Sequence, residues 1–318
     1  MTQVLLSSTA PRLENEFSVG ICAADHAAKL SALLEIIKQG PYPTGFVLKS
    51  IIIVASGLDP KARAILRGLA EKNTSLTVVE EPIRRGKAEA INRILEEHKA
   101  DFLVLVNSDA QPEIGAIGQL LSTIAGDNHV GMVSASPVLC KSPGITGTIL
   151  RLMWNVHNEC LLALDEKGLN NHCCDELIVL RSKVIRKLPR DAINDGAFLA
   201  GSAHRQGYSI KFCESAHVRI DVPSRIPDVL RQRRRIIYGH FQIRRIMGKS
   251  PRTMESMLIC DPRISIAILI DVLRKSPSSL FALPVAVVGE AMSVAMAIVD
   301  TVSAKGKHVP WARFGAKS

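Results

Sequence analysis

The sequence predicts an α/β protein, with a mostly parallel central sheet, helices on both faces and a helical C-terminal tail. Three observations carry this expectation. From Phe17 onward, short apolar runs alternate with amphipathic helical patterns, the arrangement of strands joined by crossover helices. The chain has 318 residues, 47% apolar and 22% charged, so it can bury a core without disulfides. That composition excludes a disordered, collagen-like or polytopic membrane chain. From Arg231 the character changes, first to a basic stretch and then to a long apolar one. The length leaves room for roughly two domains of about 100–200 residues, or one with an appendage.

The elements follow in order. Met1 to Glu16 reads as a short leader with neither a basic start nor a long apolar run. Phe17 to Cys22 is then a buried strand. Over 25–38, Leu30, Leu33, Leu34 and Ile37 recur at i, i+3, i+4 and i+7, one face of a helix. Val47 to Val54 is a second strand. Asp59 as N-cap and Pro60 at the first helical position open a second helix, whose inner face is Ala62, Ile65, Leu66 and Leu69. Leu76 to Val79 is a third strand, 86–98 a third helix and Phe102 to Val106 a fourth strand. Residues 113–125 read as helix and Val130 to Ala135 as strand. Less regular sequence runs to about residue 175, including Trp154-Asn155-Val156-His157. Leu177 to Leu180 is a further strand, followed by a helix that begins near Asn194 and that Gly207 is placed to end.

In such a sheet, ligands sit at the carboxyl ends of the strands. The positions of interest are therefore Ala23 to Asp25, Ala55-Ser56-Gly57 and Asn107-Ser108-Asp109. None carries GxGxxG or GxxxxGK[ST], which argues against an ordinary dinucleotide fold or a P-loop nucleotidase. At that edge the Asp109 carboxylate can hold Mg²⁺ or Mn²⁺ against a diphosphate, with Asn107 as a neutral oxygen ligand; a plain turn uses the same residues. Asp195, after the Asn194 N-cap, fits a general base and equally fits a first-turn acid favoured by the helix dipole. Gln232 and Arg235, three apart on a helix, can grip a pyrophosphate or belong to a solvated basic face. Gly86-Lys87 can contact a phosphate or simply start a helix. Lone His157, His217 and Trp154 read as packed or surface residues. No zinc spacing, serine nucleophile elbow or Cys–His arrangement occurs.

Lys and Arg outnumber Asp and Glu 40 to 30, a net charge of +10, so an anionic partner is expected. Aromatic residues are 4% of the chain, too few to supply the stacking platforms of a single-strand nucleic-acid binder. Seven cysteines without a CxxC pair point to reduced thiols in a cytosolic compartment. Arg231 to Arg252 carries eight basic residues and no acid. Leu280 to Val299 is 20 residues long with Glu290 its only charge. It can cross a membrane once, lie in the interface, or pack on the rest of the protein.

Taken in order, these signals resemble the family 2 inverting glycosyltransferases of the GT-A fold. The similarity runs from about Phe17 to Gly248. "AADHAAKLSALL" is similar to the family's opening "pxyNExxxLxxLL", and "IIIVASGLDP" to "iivvDdgStD". "RRGKAEAINRIL" resembles "xxGKaxAlNxgl", and "FLVLVNSDAQPE" stands in the place of the DxD metal site. "INDGAFLAGSAHRQGYSIKFCESAHV" resembles the segment with the catalytic base, and "RQRRRIIYGH" the QxxRW motif of membrane-associated members. The Trp154–His157 stretch is similar to archaeal-type relatives.

The resemblance implies a GT-A domain over 17–255 and a membrane-associating helical region over 256–318. It assigns Asp195 as the base that deprotonates an acceptor hydroxyl, and Asp109 with Asn107 to the metal. Asp25, Ser56, Gly57, Lys87, Gln232 and Arg235 fall to the donor nucleotide and its diphosphate, with Gln232 and Arg235 alternatively ordering the acceptor channel. Mg²⁺ or Mn²⁺ would be the cofactor. A UDP- or GDP-sugar would be the donor and a lipid-linked or polysaccharide glycan the acceptor, at the cytoplasmic face of the membrane, with no nucleic acid involved. Three departures stand out: Ala55 where many members contact the base through an Asp, Asn107 for the first Asp of DxD, and Ile236 for the Trp of QxxRW. The base position and the second carboxylate of DxD are kept, which favours an active enzyme. The rival readings are a polyprenyl-phosphate sugar synthase, whose phosphate nucleophile needs no strong base, and a catalytically degenerate membrane-binding module.

Overall fold

A computed structural model describes residues 15–23, 27–58, 60–140, 142–184 and 186–303. The expected N-cap Asp59 and the candidate donor ligand Asp25 lie outside the described residues. The first half follows the predicted alternation: β1 (Asn15–Ala23), α1 (Ala27–Gln39), β2 (Phe46–Ser56), α2 (Pro60–Glu71), β3 (Leu76–Glu81), α3 (Lys87–Glu97) and β4 (Phe102–Asn107). The two-residue β5 (Gln111–Pro112), α4 (Ala116–Ala125) and β6 (Val130–Leu139) come next. Then follow α5 (Gly144–Glu166), β7 (Leu177–Arg181), α6 (Asp195–Arg205), β8 (Ser209–Ile220) and α7 (Ile226–Met247). Three helices close the described chain: α8 (Met254–Cys260), α9 (Pro262–Lys275) and α10 (Leu283–Ser303).

All eight strands form one sheet in the order β3-β2-β1-β4-β7-β6-β8-β5. β3, β2, β1 and β4 are parallel, whereas β7 runs antiparallel to both β4 and β6. Alternation along each strand divides the core in two. Phe102, Val104 and Val106 of β4 face the helices α1, α2 and α4, while Leu103 and Leu105 face α3 and α6. A third apolar cluster joins Ile149, Leu152 and Leu164 of α5 to Met257, Ile268, Val272 and Ala286 of α8–α10.

Two elements differ from expectation. The "less regular" stretch contains a 23-residue helix, α5. Its apolar periodicity breaks at Trp154, His157 and Asn158 because that turn faces a polar interior, where Asn158 donates to Ser136 Oγ and the Pro137 carbonyl. β8, a 12-residue strand, has no apolar run to announce it: its buried positions Ile210, Phe212, Ala216, Val218 and Ile220 are spaced by polar residues and interrupted by an irregularity in the pairing with β6. The C-terminal apolar stretch forms α10, which packs along α7 through one edge. Arg233 bonds Glu290 at 2.8 Å, and Arg234 reaches Asp300. Elsewhere α10 is largely exposed.

Candidate active site at the carboxyl edge of the sheet

The carboxyl ends of β1, β2 and β4, the amino end of the antiparallel β7 and the first turns of α3 and α6 converge on one edge. Gly86, at φ 112°, swings the chain from the loop after β3 into α3 and places Lys87 at its start. Asn194 caps α6 by accepting from the Ala197 amide at 3.0 Å, which fixes Asp195 in the first turn. Gly196 lets this turn close down: a Cβ there would stand 2.5 Å from the Asp175 Cβ. α7 crosses over the same place, with Gly239 admitting Asn194.

Lys87 Nζ lies 2.7 Å from Asp175 Oδ2 and 2.9 Å from Asp195 Oδ2. Burial disfavours the ammonium, but the two carboxylates more than offset that and hold its pKa well above the ordinary lysine value. Burial raises the pKa of Asp195; Lys87 opposes the rise and Asp175 adds to it. For Asp175 burial acts upward too, but Lys87 and the Arg235 guanidinium outweigh it and keep the carboxyl below its usual range. Burial lowers Arg235, while Asp195 and Asp175 support its charge. Two cations and two carboxylates of different basicity thus share one partly closed edge, an arrangement suited to proton transfer beside an anionic group.

The structure brings Lys87, Asp195 and Arg235 together, with Gln232 half-buried one turn before Arg235 on α7. Ser56 is placed differently from expectation. Its hydroxyl is buried and donates to Glu81 Oε2 at 2.7 Å, beneath the edge. Gly57 follows at φ +65°, packed against Arg84. Asn107 ends β4 beside Cys22 of β1, and Asp109 stands half-buried on the turn that follows. His217 is on β8, 3.4 Å from Glu113 and away from this cluster. Among the described residues no three His, Cys, Asp or Glu side chains converge as a metal cage. A cation such as Mg²⁺ needs only one or two protein carboxylates when substrate phosphates complete its shell, and Asp109 on this edge fits that mode.

Sequence reasoning missed Asp175 and Glu176. Asn107 donates its amide to the Glu176 carbonyl at 3.1 Å, continuing the β4–β7 ladder. Burial, and then Asp175, pushes Glu176 up to about 7. The usable signal is an acidic pair just before an apolar run: in an antiparallel strand, the residues before the run reach the ligand edge. Asn92 was also passed over. It brackets α3 to the chain before α6, donating to the Leu188 carbonyl and accepting its amide.

The model of "Glycosyl transferase family 2" matches residues 18–188, more than half of the chain. Among solved structures, the chain is similar to the "Mannosyltransferase PcManGT from Pyrobaculum calidifontis in complex with GDP-Man and Mn2+". The TM-score is 0.63 at 19% identity, covering 92% of this chain and 88% of that one. It is also similar to "GalNAc-T7 with UDP, GalNAc and Mn2+", with TM-score 0.49 and 10% identity, over 66% of this chain and 44% of that longer one. A search of curated proteins finds no match. The matched segment runs from β1 through the edge that gathers Lys87, Asn107, Asp109 and Asp175, and with it the chain belongs to glycosyl transferase family 2, as a glycosyltransferase of the GT-A fold.

Proposed function

We propose that this chain transfers a sugar from a UDP- or GDP-sugar to a hydroxyl of a lipid-linked or polysaccharide acceptor, with inversion at the anomeric carbon. The observation that carries the reading is the Lys87–Asp175–Asp195 cluster, with Arg235 over it. Asp195 is the base: a carboxyl with a raised pKa takes the acceptor proton more readily than an exposed aspartate would. The acceptor oxygen bonds to the anomeric carbon as the bond to the diphosphate oxygen breaks, and the proton ends on Asp195. Lys87 and Arg235 neutralise the departing diphosphate, and Gln232 orders it. Gly57 borders the nucleotide, with Ser56 beneath it holding Glu81; Asp25, outside the described residues, is assigned to the donor by the sequence resemblance alone. Asp109 and Asn107 would hold Mg²⁺ or Mn²⁺, which supplies further neutralisation of the diphosphate.

In the same reading, residues 17–255 are the catalytic part and 256–318 a helical part at the cytoplasmic face of the membrane. Exposed Ile259, Phe281 and Val302, each more than 80% accessible, support contact with lipid.

The test is nucleoside diphosphate release from a panel of UDP- and GDP-sugars, with Mn²⁺, Mg²⁺ or EDTA, using lipid extract as acceptor source. One donor is expected to be consumed in a metal-dependent way. Asp109→Ala should abolish release, and Asp195→Asn should cut transfer at least about 100-fold while leaving donor affinity intact. Transfer by Asp195→Asn at the wild-type rate would reject the base assignment.

A further inference from the structure

Asp175 and Glu176 reach the ligand edge together, but they are engaged differently. Lys87 holds Asp175 at 2.7 Å. Glu176 is half-buried, and no Lys, Arg or His forms an ion pair with it among the described residues. One of its oxygens, Oε2, accepts from the Cys174 thiol. No other side chain among the described residues bonds the carboxylate.

The pairing of β4 with β7 fixes where that carboxylate stands. Leu105 lies opposite Ile178, and Val106 opposite Leu177. One step further along the same ladder, the Asn107 amide donates to the Glu176 carbonyl at 3.1 Å. Asn107 and Glu176 are therefore directly opposed. Opposed residues of an antiparallel pair project to the same face, with Cα atoms about 5.5 Å apart at a hydrogen-bonded position. That face is the one on which Leu103, Leu105, Ile178 and Leu180 pack with α3 and α6. Lys87 and Asp195 begin those two helices, so Asn107 and Glu176 belong to the side of the sheet that carries the charged cluster.

Of the two positions read as metal ligands, Asp109 has a carboxylate and Asn107 only a neutral amide oxygen. A Mg²⁺ or Mn²⁺ ion that also holds a diphosphate takes one or two protein carboxylates. Glu176 stands across one rung of the ladder from Asn107 and carries the charge that Asn107 lacks. A carboxylate withdrawn from water is costly unless it is paired or coordinates a metal, and Glu176 has no cationic partner of its own. The Cys174 thiol fixes one oxygen, an outer contact of the kind that orients metal ligands. Two carboxylates and an amide fall short of a cage among the described residues, as expected where phosphate oxygens of the substrate complete the shell.

We propose that Glu176 is the second carboxylate ligand of the Mg²⁺ or Mn²⁺ ion, supplying from β7 the charge that is missing at position 107 on β4. The inference rests on the glycosyltransferase reading of this edge and deepens it by one metal ligand.

The experiment measures binding, not turnover. The full chain is titrated by calorimetry with GDP and UDP, each in Mn²⁺ and in EDTA, and the nucleotide that binds is carried through the variants. Glu176→Gln keeps the shape and the thiol contact but not the charge. It should weaken the Mn²⁺-bound nucleotide at least about tenfold, as should Asp109→Ala. Its metal-free affinity should hold or rise, because the carboxylate it removes repels a diphosphate that arrives without the ion; a merely structural role would lower both affinities. Combining Glu176→Gln with Asn107→Asp moves the carboxylate back across the rung and should recover most of the loss. Asn107→Asp alone, in a chain that keeps Glu176, should tighten the Mn²⁺-bound nucleotide by no more than about threefold, since the ion already has its second carboxylate.

The inference is overturned if Glu176→Gln binds the Mn²⁺-bound nucleotide as tightly as wild type, or loses metal-bound and metal-free nucleotide equally. It is also overturned if returning the carboxylate to position 107 recovers nothing. Should Glu176→Gln not fold, Asn107→Asp decides alone: tightening of about tenfold or more would show a site short of a carboxylate, and Glu176 would not be a ligand. A loss in Asp109→Ala without one in Glu176→Gln removes only the role of Glu176. If Asp109→Ala keeps the wild-type affinity, or the wild-type chain binds neither nucleotide, the reading of the edge itself fails.

Discussion

Lys87 is the residue on which the charge balance of the proposed catalytic edge turns. It is within ion-pair distance of both Asp175 and Asp195. Replacing it by Met leaves the buried Asp195 carboxyl and the partly exposed Asp175 facing each other without their ammonium. Two effects are expected. The first is on stability: breaking a buried pair by removing one partner costs about 3–5 kcal/mol, and the partial exposure of Asp175 puts Lys87→Met toward the lower end. The folded pKa of Lys87 is raised above its unfolded value. Its contribution is therefore fully present below the unfolded pKa, near neutrality included, and is lost only as pH rises through the folded value. Urea unfolding at neutral pH measures the difference. The second effect is on Asp195. Lys87 opposes the upward push of burial on that carboxyl, so its removal should move the acid limb of the pH–rate profile to higher pH. An acid limb that stays in place would show that Asp195 is not the titrating base.

α7 shows how an element can hold three unlike tasks in three consecutive residues. Successive side chains on a helix point about 100° apart, so Arg233, Arg234 and Arg235 face different neighbours. Arg233 goes to Glu255 and Glu290, Arg234 to Asp300, and Arg235 faces Asp195 and Asp175. In the sequence this run reads equally as a solvated basic face, because the acids that pair Arg233 and Arg234 lie 22 to 66 residues further on, and those facing Arg235 lie well before it. The same limit explains Asp175. Lys87, Asn107, Asp109 and Asp195 are legible because strand ends and helix starts leave local signals, namely a terminated apolar run, a Gly or an N-cap. Whether Leu177–Arg181 runs parallel or antiparallel depends on its neighbours β4 and β6, and only the antiparallel choice carries Asp175 to the ligand edge. α5 was hidden for a related reason, since its polar turn faces Ser136, Pro137 and the His172 ring rather than the apolar core. The pairing of Arg233 yields a prediction at this scale. Arg233→Met leaves Glu255 and Glu290 uncompensated between α7, α8 and α10; breaking a fully buried pair costs about 3–5 kcal/mol, and the partial exposure of all three side chains puts this loss toward or below the lower end. Glu290→Gln, which keeps a hydrogen-bond acceptor for the guanidinium, should cost clearly less. Equal losses in the two variants, read by thermal and urea unfolding, would show that the buried charges are not what binds these helices together.

Over the whole molecule, the net charge of +10 and the surface of the C-terminal helices act in the same direction. α10 meets α7 through Glu290 and Asp300 but leaves Val287, Val288, Val299 and Val302 exposed; Ile266 and Ile270 project from α9, and Leu280 and Phe281 from the turn between them. Exposed apolar area on this scale is unusual for a soluble surface. Arg263, Arg274 and Lys275 belong to the same helix as Ile266 and Ile270, and basic residues beside apolar ones draw a protein to anionic lipid by about 1 kcal/mol each near the surface. Two independent contributions to membrane affinity are therefore expected, one apolar and insensitive to salt, the other electrostatic and screened over a Debye length of about 10 Å at 0.1 M salt. Flotation with phosphatidylglycerol-containing vesicles should recover the chain at low salt and lose part of it as salt is raised. Phe281→Asp combined with Ile259→Asp should remove the salt-resistant fraction, and vesicles of phosphatidylcholine alone should remove the salt-sensitive one. Because both substitutions fall on side chains more than 80% accessible, folding and donor affinity should be unchanged, so a loss of flotation can be assigned to the surface. If the doubly substituted chain floats as well as wild type, the exposed apolar face is not what meets the bilayer, and the membrane placement of residues 256–318 fails with it.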